Sequence, residues 1–256
     1  MMKIIINADD FGLTNGVTYG IYDAIKNGVV SSTTLMVNQE ASLLAGRIAR
    51  QDENLNVGLH LNISKGFPLS NCPSLVDENN NFIKPKDLLN DDEYLEEEIY
   101  QEFLKQYERF FEIVGRKPTH LDSHLYSHQI FPKVQRQAIK FAEEFRLPVR
   151  ACQTKYYQKI ELIDEFKVIG EMSIYDLFSK FMDLINLNLK QDYLELMVHP
   201  GFVDLELLNI SSYNLPRVLE AKVLKLKEVK KYLELNNVEI ISFREVSGGM
   251  QWLTSN

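Results

Sequence analysis

The sequence predicts an α/β protein, a single distorted (β/α) barrel of TIM-like type with a long lid loop after its third strand. Strand-like runs alternate with helix-like stretches from one end of the chain to the other, the pattern of a largely parallel sheet. The first run, Ile4-Ile5-Ile6, is β-branched, as a buried strand requires. Polar and titratable residues gather where the strands stop, which suits a barrel better than an open sheet.

In chain order, residues 3–8 form the first strand. Thr14 caps a helix whose buried face is Val17, Ile21, Ala24 and Ile25, and Gly28 ends it. Residues 32–37 return as strand two, 41–49 are helical, and 56–63 make the third strand. The stretch 64–91 is rich in Gly, Pro, Asn and Ser without a clear period, so it reads as a surface loop long enough to be a lid. Residues 93–114 form an amphipathic helix, 119–125 the fourth strand, 131–145 a helix and 147–150 a short strand. The middle to about residue 192 is poorly patterned. A strand at 193–199, a helix over 215–235 and a strand at 238–243 close the chain.

With 256 residues, 45% hydrophobic and 11% aromatic, the chain can bury a sizeable core, and no repeat or linker divides it. One domain over residues 1–256 is expected. Lys and Arg number 28 against 36 Asp and Glu, a net charge of -8, and nowhere do they cluster enough to track a phosphate backbone. Nucleic acid is therefore not the expected partner. Cys72 and Cys152 are isolated, and the first apolar run meets acids by Asp9, too short for a signal segment or a membrane span. These features predict a cytoplasmic protein with no membrane contact.

Asp9 and Asp10 stand together at the mouth of the first strand, where two carboxylates repel unless a cation or a reaction offsets them. His60 and His124 end two other strands, and a barrel would bring them to Asp10 around one pocket. Two imidazoles and a carboxylate leave positions open for water or substrate, as a catalytic metal site does. Asp122, on the same strand face as His120 and His124, is placed to orient a ligand histidine. Consecutive strand residues point oppositely, so both acids face the pocket only if the backbone turns there, as Gly12 suggests. Asp9 is then placed to take a proton from metal-bound water. His199, held by Pro200 and Gly201, reads equally as a proton donor to a departing amine or as a strand-end histidine bonded to its own loop. Arg150 is a candidate for holding substrate or steadying Asp9. Arg217 is a candidate for the same roles, and each arginine reads equally as a surface ion pair, a reading slightly favoured for Arg217 at its helix start.

The segments Asn7-Ala8-Asp9-Asp10-Phe11-Gly12, Gly58-Leu59-His60-Leu61-Asn62, Thr119-His120-Leu121-Asp122-Ser123-His124, Val198-His199-Pro200-Gly201 and Ile241-Ser242-Phe243-Arg244-Glu245 resemble, in order, the motifs of the YdjC-like carbohydrate deacetylases. The loop from Gly66 to Asp77 is similar too. The resemblance implies a distorted (β/α) barrel, often a homodimer, that removes N-acetyl groups from amino sugars with one divalent cation. It implies Asp10, His60 and His124 as ligands, Asp9 as base and His199 at the site. Magnesium follows from the resemblance, whereas the ligand types suit zinc or another transition metal. Tyr126 departs from the family pattern, replacing a pocket histidine; with Phe67 it is a candidate to stack on a sugar ring. The expected partner is a small acetylated sugar. Two rivals are a hydrolase of a phosphorylated disaccharide, cutting a glycosidic or phosphate bond, and a non-catalytic metal or sugar sensor. Against the first, no basic or glycine-rich cradle for a phosphate is evident in the sequence.

Overall fold

A computed structural model of the chain describes residues 1–88 and 90–249. Seven parallel strands, β1 (Met2–Phe11), β2 (Ser32–Leu35), β3 (Val57–Leu61), β4 (Leu121–Ser123), β5 (Glu161–Ile163), β6 (Tyr193–Val198) and β7 (Val238–Ile241), curl into one sheet. Its order is β4-β3-β2-β1-β6-β5, with β7 also paired to β1. β1 is the axis. Its start pairs with β7 from Met2 to Ile5, its end pairs with β2 from Asn7 to Phe11, and β6 runs beside it from Lys3 to Ala8. The helices are α1 (Asn15–Asn27), α2 (Ser42–Gln51), α3 (Glu96–Val114), α4 (Ser127–Ile130), α5 (Pro132–Phe145), α6 (Ile174–Asn188), α7 (Leu205–Ile210), α8 (Leu215–Val223), α9 (Lys227–Leu235) and α10 (Phe243–Gly249).

The two-residue period of a strand sorts the sequence into two environments. Ile4, Ile6 and Ala8 enter the large core shared with the helices, while Ile5 packs with Tyr157, Ile241, Phe243 and Val246 inside the curl. On the same face as Ile5 come Asn7 and then Asp9. The interior therefore grades from apolar to polar to charged along β1. On β6 the alternates are Glu195 and Met197, followed just past its end by His199; on β4 the alternate is Asp122, with His120 just before the strand and His124 just after it. Gly58 makes room in this interior, because a Cβ there would sit 2.5 Å from the His120 ring. His120 in turn stacks on Phe243 with ring centroids 3.7 Å apart.

The predicted elements hold with several differences. The strand at 147–150 shrinks to a bridge between Leu121 and Val149, because Pro148 has no N–H and contributes only its carbonyl, to Leu121 N at 2.9 Å. The fourth strand stops at Ser123, and His124 lies in a one-turn helix where Leu125 and Tyr126 have φ of 50° and 59°. The helix over 215–235 is two helices. The Leu224 carbonyl is taken by Val29 N at 3.0 Å, so it is lost to the intrahelical ladder. The unpatterned middle holds β5 and α6, and α6 begins with a capping box, Ser173 and Asp176, that marks its start in the sequence.

The loop after β3 is tied to α3. Glu102, buried on that helix, accepts from Leu69 N at 3.0 Å, Ser70 N at 2.8 Å and Ser70 Oγ at 2.7 Å. Leu89 of this loop lies outside the described residues. Among the described residues, no helix is long and apolar enough to cross a membrane.

Candidate active site

Asp10 is turned into the curl by its own backbone. As a regular strand residue after Asp9 it would point to the outer face, but its φ is 71° and the β1–β2 register shifts between Ala8 and Phe11. A left-handed non-glycine residue costs on the order of 1–3 kcal/mol, so the surroundings must hold it. Arg217 does so, donating from Nη2 to Asp10 Oδ2 at 2.6 Å. Gly12, with φ of 90°, completes the turn.

Asp10 Oδ1 then faces two imidazoles, with His124 Nδ1 at 3.0 Å and His60 Nε2 at 3.4 Å. The three ligand atoms lie within 4.8 Å of one another. His60 Nδ1 lies 2.7 Å from Asp122 Oδ1, which fixes that nitrogen as the protonated one and turns the Nε2 lone pair toward Asp10. Asp122 is itself held by Thr34 Oγ1 at 2.8 Å. His60 Nε2 is buried and has no hydrogen-bond partner among the described residues. An imidazole lone pair and a carboxylate oxygen left facing each other, with a second imidazole alongside, fit a divalent cation by both charge and donor type.

The electrostatics agree with such a site. Burial disfavours the Asp10 carboxylate, but Arg217 and His124 outweigh it and hold the group well below the usual carboxylate range. Burial likewise disfavours charged His60, yet Asp122 and Asp10 carry its pKa up to about 10. A second cluster of Asp9, His60 and Asp122 has ligand spacing too, but Arg150 occupies its oxygens.

Arg150 is 2% exposed and does not line the opening. Its Nη1 and Nη2 grip Asp9 at 2.6 and 2.7 Å, Nη2 reaches Asp122 at 3.1 Å and Nε donates to Glu195 at 2.7 Å. A guanidinium spent on three buried carboxylates has nothing left for a sugar, so Arg150 steadies Asp9 and is corrected as a substrate-binding residue. Asn7 Nδ2 adds a further bond to Asp9 at 2.9 Å.

A cavity of about 820 Å³ opens over these groups, walled by Asp9, Asp10, His60, His124, Tyr126 and His199, among others. Phe67 is 59% exposed and stands outside that wall, because its loop turns it to solvent. His199 is neutral at pH 7, since burial pushes its pKa to about 4 against the pull of Asp9 and Asp10. Its backbone N–H donates to Glu220 Oε2 at 2.5 Å. Glu220 is buried and also accepts from the Tyr213 hydroxyl; burial pushes its pKa to about 7.

Arg217, a candidate site residue for which the sequence slightly favoured a surface ion pair, is instead buried on Asp10. It is 3% exposed, its partner Asp10 lies 207 positions away, and Nη1 is buried without a partner among the described residues. Glu220 and Tyr213 were not singled out, and nothing in their neighbourhood distinguishes them from an ordinary helix and loop.

The family model described as YdjC-like protein matches residues 3–235. The chain belongs to the YdjC-like family. This YdjC-like protein is 42% identical over 245 residues to carbohydrate deacetylase 2 of Listeria innocua serovar 6a, covering 96% of this chain and 99% of that one. It is 37% identical over 253 residues to a carbohydrate deacetylase of Clostridium beijerinckii, with 96% and 100% covered. Among solved structures, a proposed cellobiose-phosphate cleavage protein of Enterococcus faecalis V583 superposes with a TM-score of 0.85 at 30% identity, over 96% of this chain and 99% of that one. A family 4 acetyl xylan esterase of Clostridium thermocellum, bound to cobalt, shares the fold with a TM-score of 0.53 at 12% identity, over 95% and 89%.

Proposed function

We propose that this YdjC-like protein is a metal-dependent carbohydrate N-deacetylase, one domain over residues 1–256, that hydrolyses the acetamide of amino sugars or short oligosaccharides of chitooligosaccharide type. The observation that carries the reading is a second carboxylate, Asp9, locked in place beside the Asp10–His60–His124 set. The names of the relatives in Listeria and Clostridium support it.

Asp10, His60 and His124 would hold one divalent cation, which supplies the electrophile for the acetyl carbonyl. Two imidazoles favour zinc or another transition metal over magnesium. Asp9 takes the proton of the attacking water at a carboxylate oxygen, and Arg150 and Asn7 keep that carboxylate from swinging onto the cation site. His199 enters neutral and acts as acid after receiving the proton Asp9 has taken up; the leaving amine then carries it away. Tyr126, in the cavity wall, offers a ring face to the sugar. Phe67 contributes only if its loop moves inward. Cytoplasmic residence and a homodimer belong to the same proposal, the first supported by two free buried cysteines.

The test is acetate release from N,N′-diacetylchitobiose by the metal-loaded protein. Asp9→Asn should keep its metal and lose activity by about 10²–10⁴-fold. Sugar released without acetate would mean a glycosidase, and metal uptake without turnover would mean a sensor; either defeats the proposal.

A further inference from the structure

The sheet does not close on itself. In the order β4-β3-β2-β1-β6-β5, β4 and β5 are the two ends, and among the described residues neither pairs with the other. At the start of β4, Leu121 bridges to Val149, which fills part of the gap. At the catalytic end of the strands the gap is spanned by side chains: the Tyr126 hydroxyl, just past β4, donates to the Asp164 carboxylate, just past β5. Tyr126 is half-buried in the cavity wall, and Lys167, also from the segment after β5, holds its Nζ 6.0 Å from the ring centroid. Burial, together with Asp164 and Asp9, raises the hydroxyl above its ordinary pKa, so it stays a neutral donor.

The backbone is bent to deliver this side chain. Leu125 and Tyr126 are successive non-glycine residues with φ of 50° and 59°, a costly conformation that the surroundings must hold. Ser123 and His128, both buried, hold it. Ser123 Oγ accepts from His128 N at 3.1 Å and donates to Nδ1 at 2.6 Å, while His128 Nε2 donates to the Arg150 carbonyl at 3.0 Å. The turn that carries Tyr126 is therefore tied to the same Arg150 whose side chain grips Asp9. A sugar inside a chain is linked on two sides, so its acetamide reaches the floor of a cavity only along a groove with two exits. An end sugar needs one.

We propose that Tyr126 and Asp164 are a specificity-determining pair: by bridging the seam between β4 and β5 they remove the exit between those strands, so that the site takes the end unit of an acetylated glycan and rejects units inside a longer chain. This rests on the deacetylase reading and narrows its substrate class. Asp164 acts through Tyr126, whose hydroxyl it anchors, and Tyr126 is the group that meets the sugar.

The test gives the metal-loaded protein penta-N-acetylchitopentaose and locates the new amines by mass-spectrometric sequencing. The native chain should leave every internal unit acetylated. Asp164→Ala removes the anchor and Tyr126→Phe removes the hydroxyl while keeping the ring; both should deacetylate internal units, with kcat/KM for those units rising about tenfold or more, the least that relief of a steric block in a pocket is worth. Cobalt(II) affinity should not change. A gain of activity on internal units is not something a damaged fold produces, so the product pattern separates a specificity role from a structural one. Internal deacetylation by the native chain, or an unchanged pattern in both variants, overturns the inference. If neither the pentasaccharide nor N,N′-diacetylchitobiose releases acetate, the deacetylase reading fails instead. Calorimetry then decides the seam: pentasaccharide affinity that gains on disaccharide affinity in Asp164→Ala supports it, and an unchanged ratio, or no binding of either sugar, overturns it.

Discussion

Replacing Arg150 with methionine keeps most of its volume and removes its charge from the middle of the curl. Asp9 then loses both bonds of the fork and keeps Asn7; Asp122 keeps His60 and Thr34. Glu195 loses the bond to Oε1 while Oε2 already has no partner. Breaking one buried pair from one side costs about 3–5 kcal/mol, and three carboxylates share this loss, so the upper part of that range is expected near pH 8. The deficit should depend on pH. Burial outweighs Arg150 and already lifts the Glu195 carboxyl to about 7 from 4.5; without the guanidinium it rises further. A group raised in the folded state contributes fully below its unfolded value and loses that contribution as pH climbs through the folded one. Urea unfolding of the variant should therefore show a smaller deficit at pH 5 than at pH 8. A loss under about 1 kcal/mol, or a deficit as large at pH 5, would refute the claim that Arg150 is held by charge and not by packing.

The Asp122→Asn variant removes the acid that fixes the His60 tautomer, so cobalt(II) affinity followed by visible absorption should fall about 10–100-fold with the fold intact; unchanged affinity would detach Asp122 from the site. Glu220, raised by burial from 4.5 to about 7, should cost the protein on the order of 3 kcal/mol as pH rises from below 4.5 to above 7. Glu220→Gln should flatten that part of the stability profile, and an unaltered slope in denaturant melts would place the titration elsewhere.

Much of the fold was legible because strands of a parallel sheet are short apolar runs and helices show a clear stripe; β1, β6 and α3 follow their sequence patterns closely. The failures lie where tertiary bonds override local pattern. Pro148 leaves a bridge instead of a strand, and Val29 captures a carbonyl that would have continued α8 into α9. The cluster of Asp10, His60 and His124 was visible as polar residues at strand ends, since topology gathers those ends wherever the chain is read as a barrel. The pairing of Arg217 with Asp10 was not visible, because the two lie far apart in sequence and no periodicity encodes it. Asp10 is the instructive case. Its neighbour Gly12 signalled a turn, yet the aspartate itself takes the left-handed conformation, and that follows from Arg217 across the cavity and not from any local rule.

The clasp between Glu102 and the Leu69–Ser70 backbone bears on how tightly a ligand can be held. A loop left loose until contact must surrender about 1–2 kcal/mol of freedom for each residue it immobilises, and that sum is subtracted from affinity. Here one acid on a 19-residue helix pins Leu69 and Ser70 beforehand. The freedom of those two residues is therefore surrendered on folding and is not subtracted again when a guest arrives.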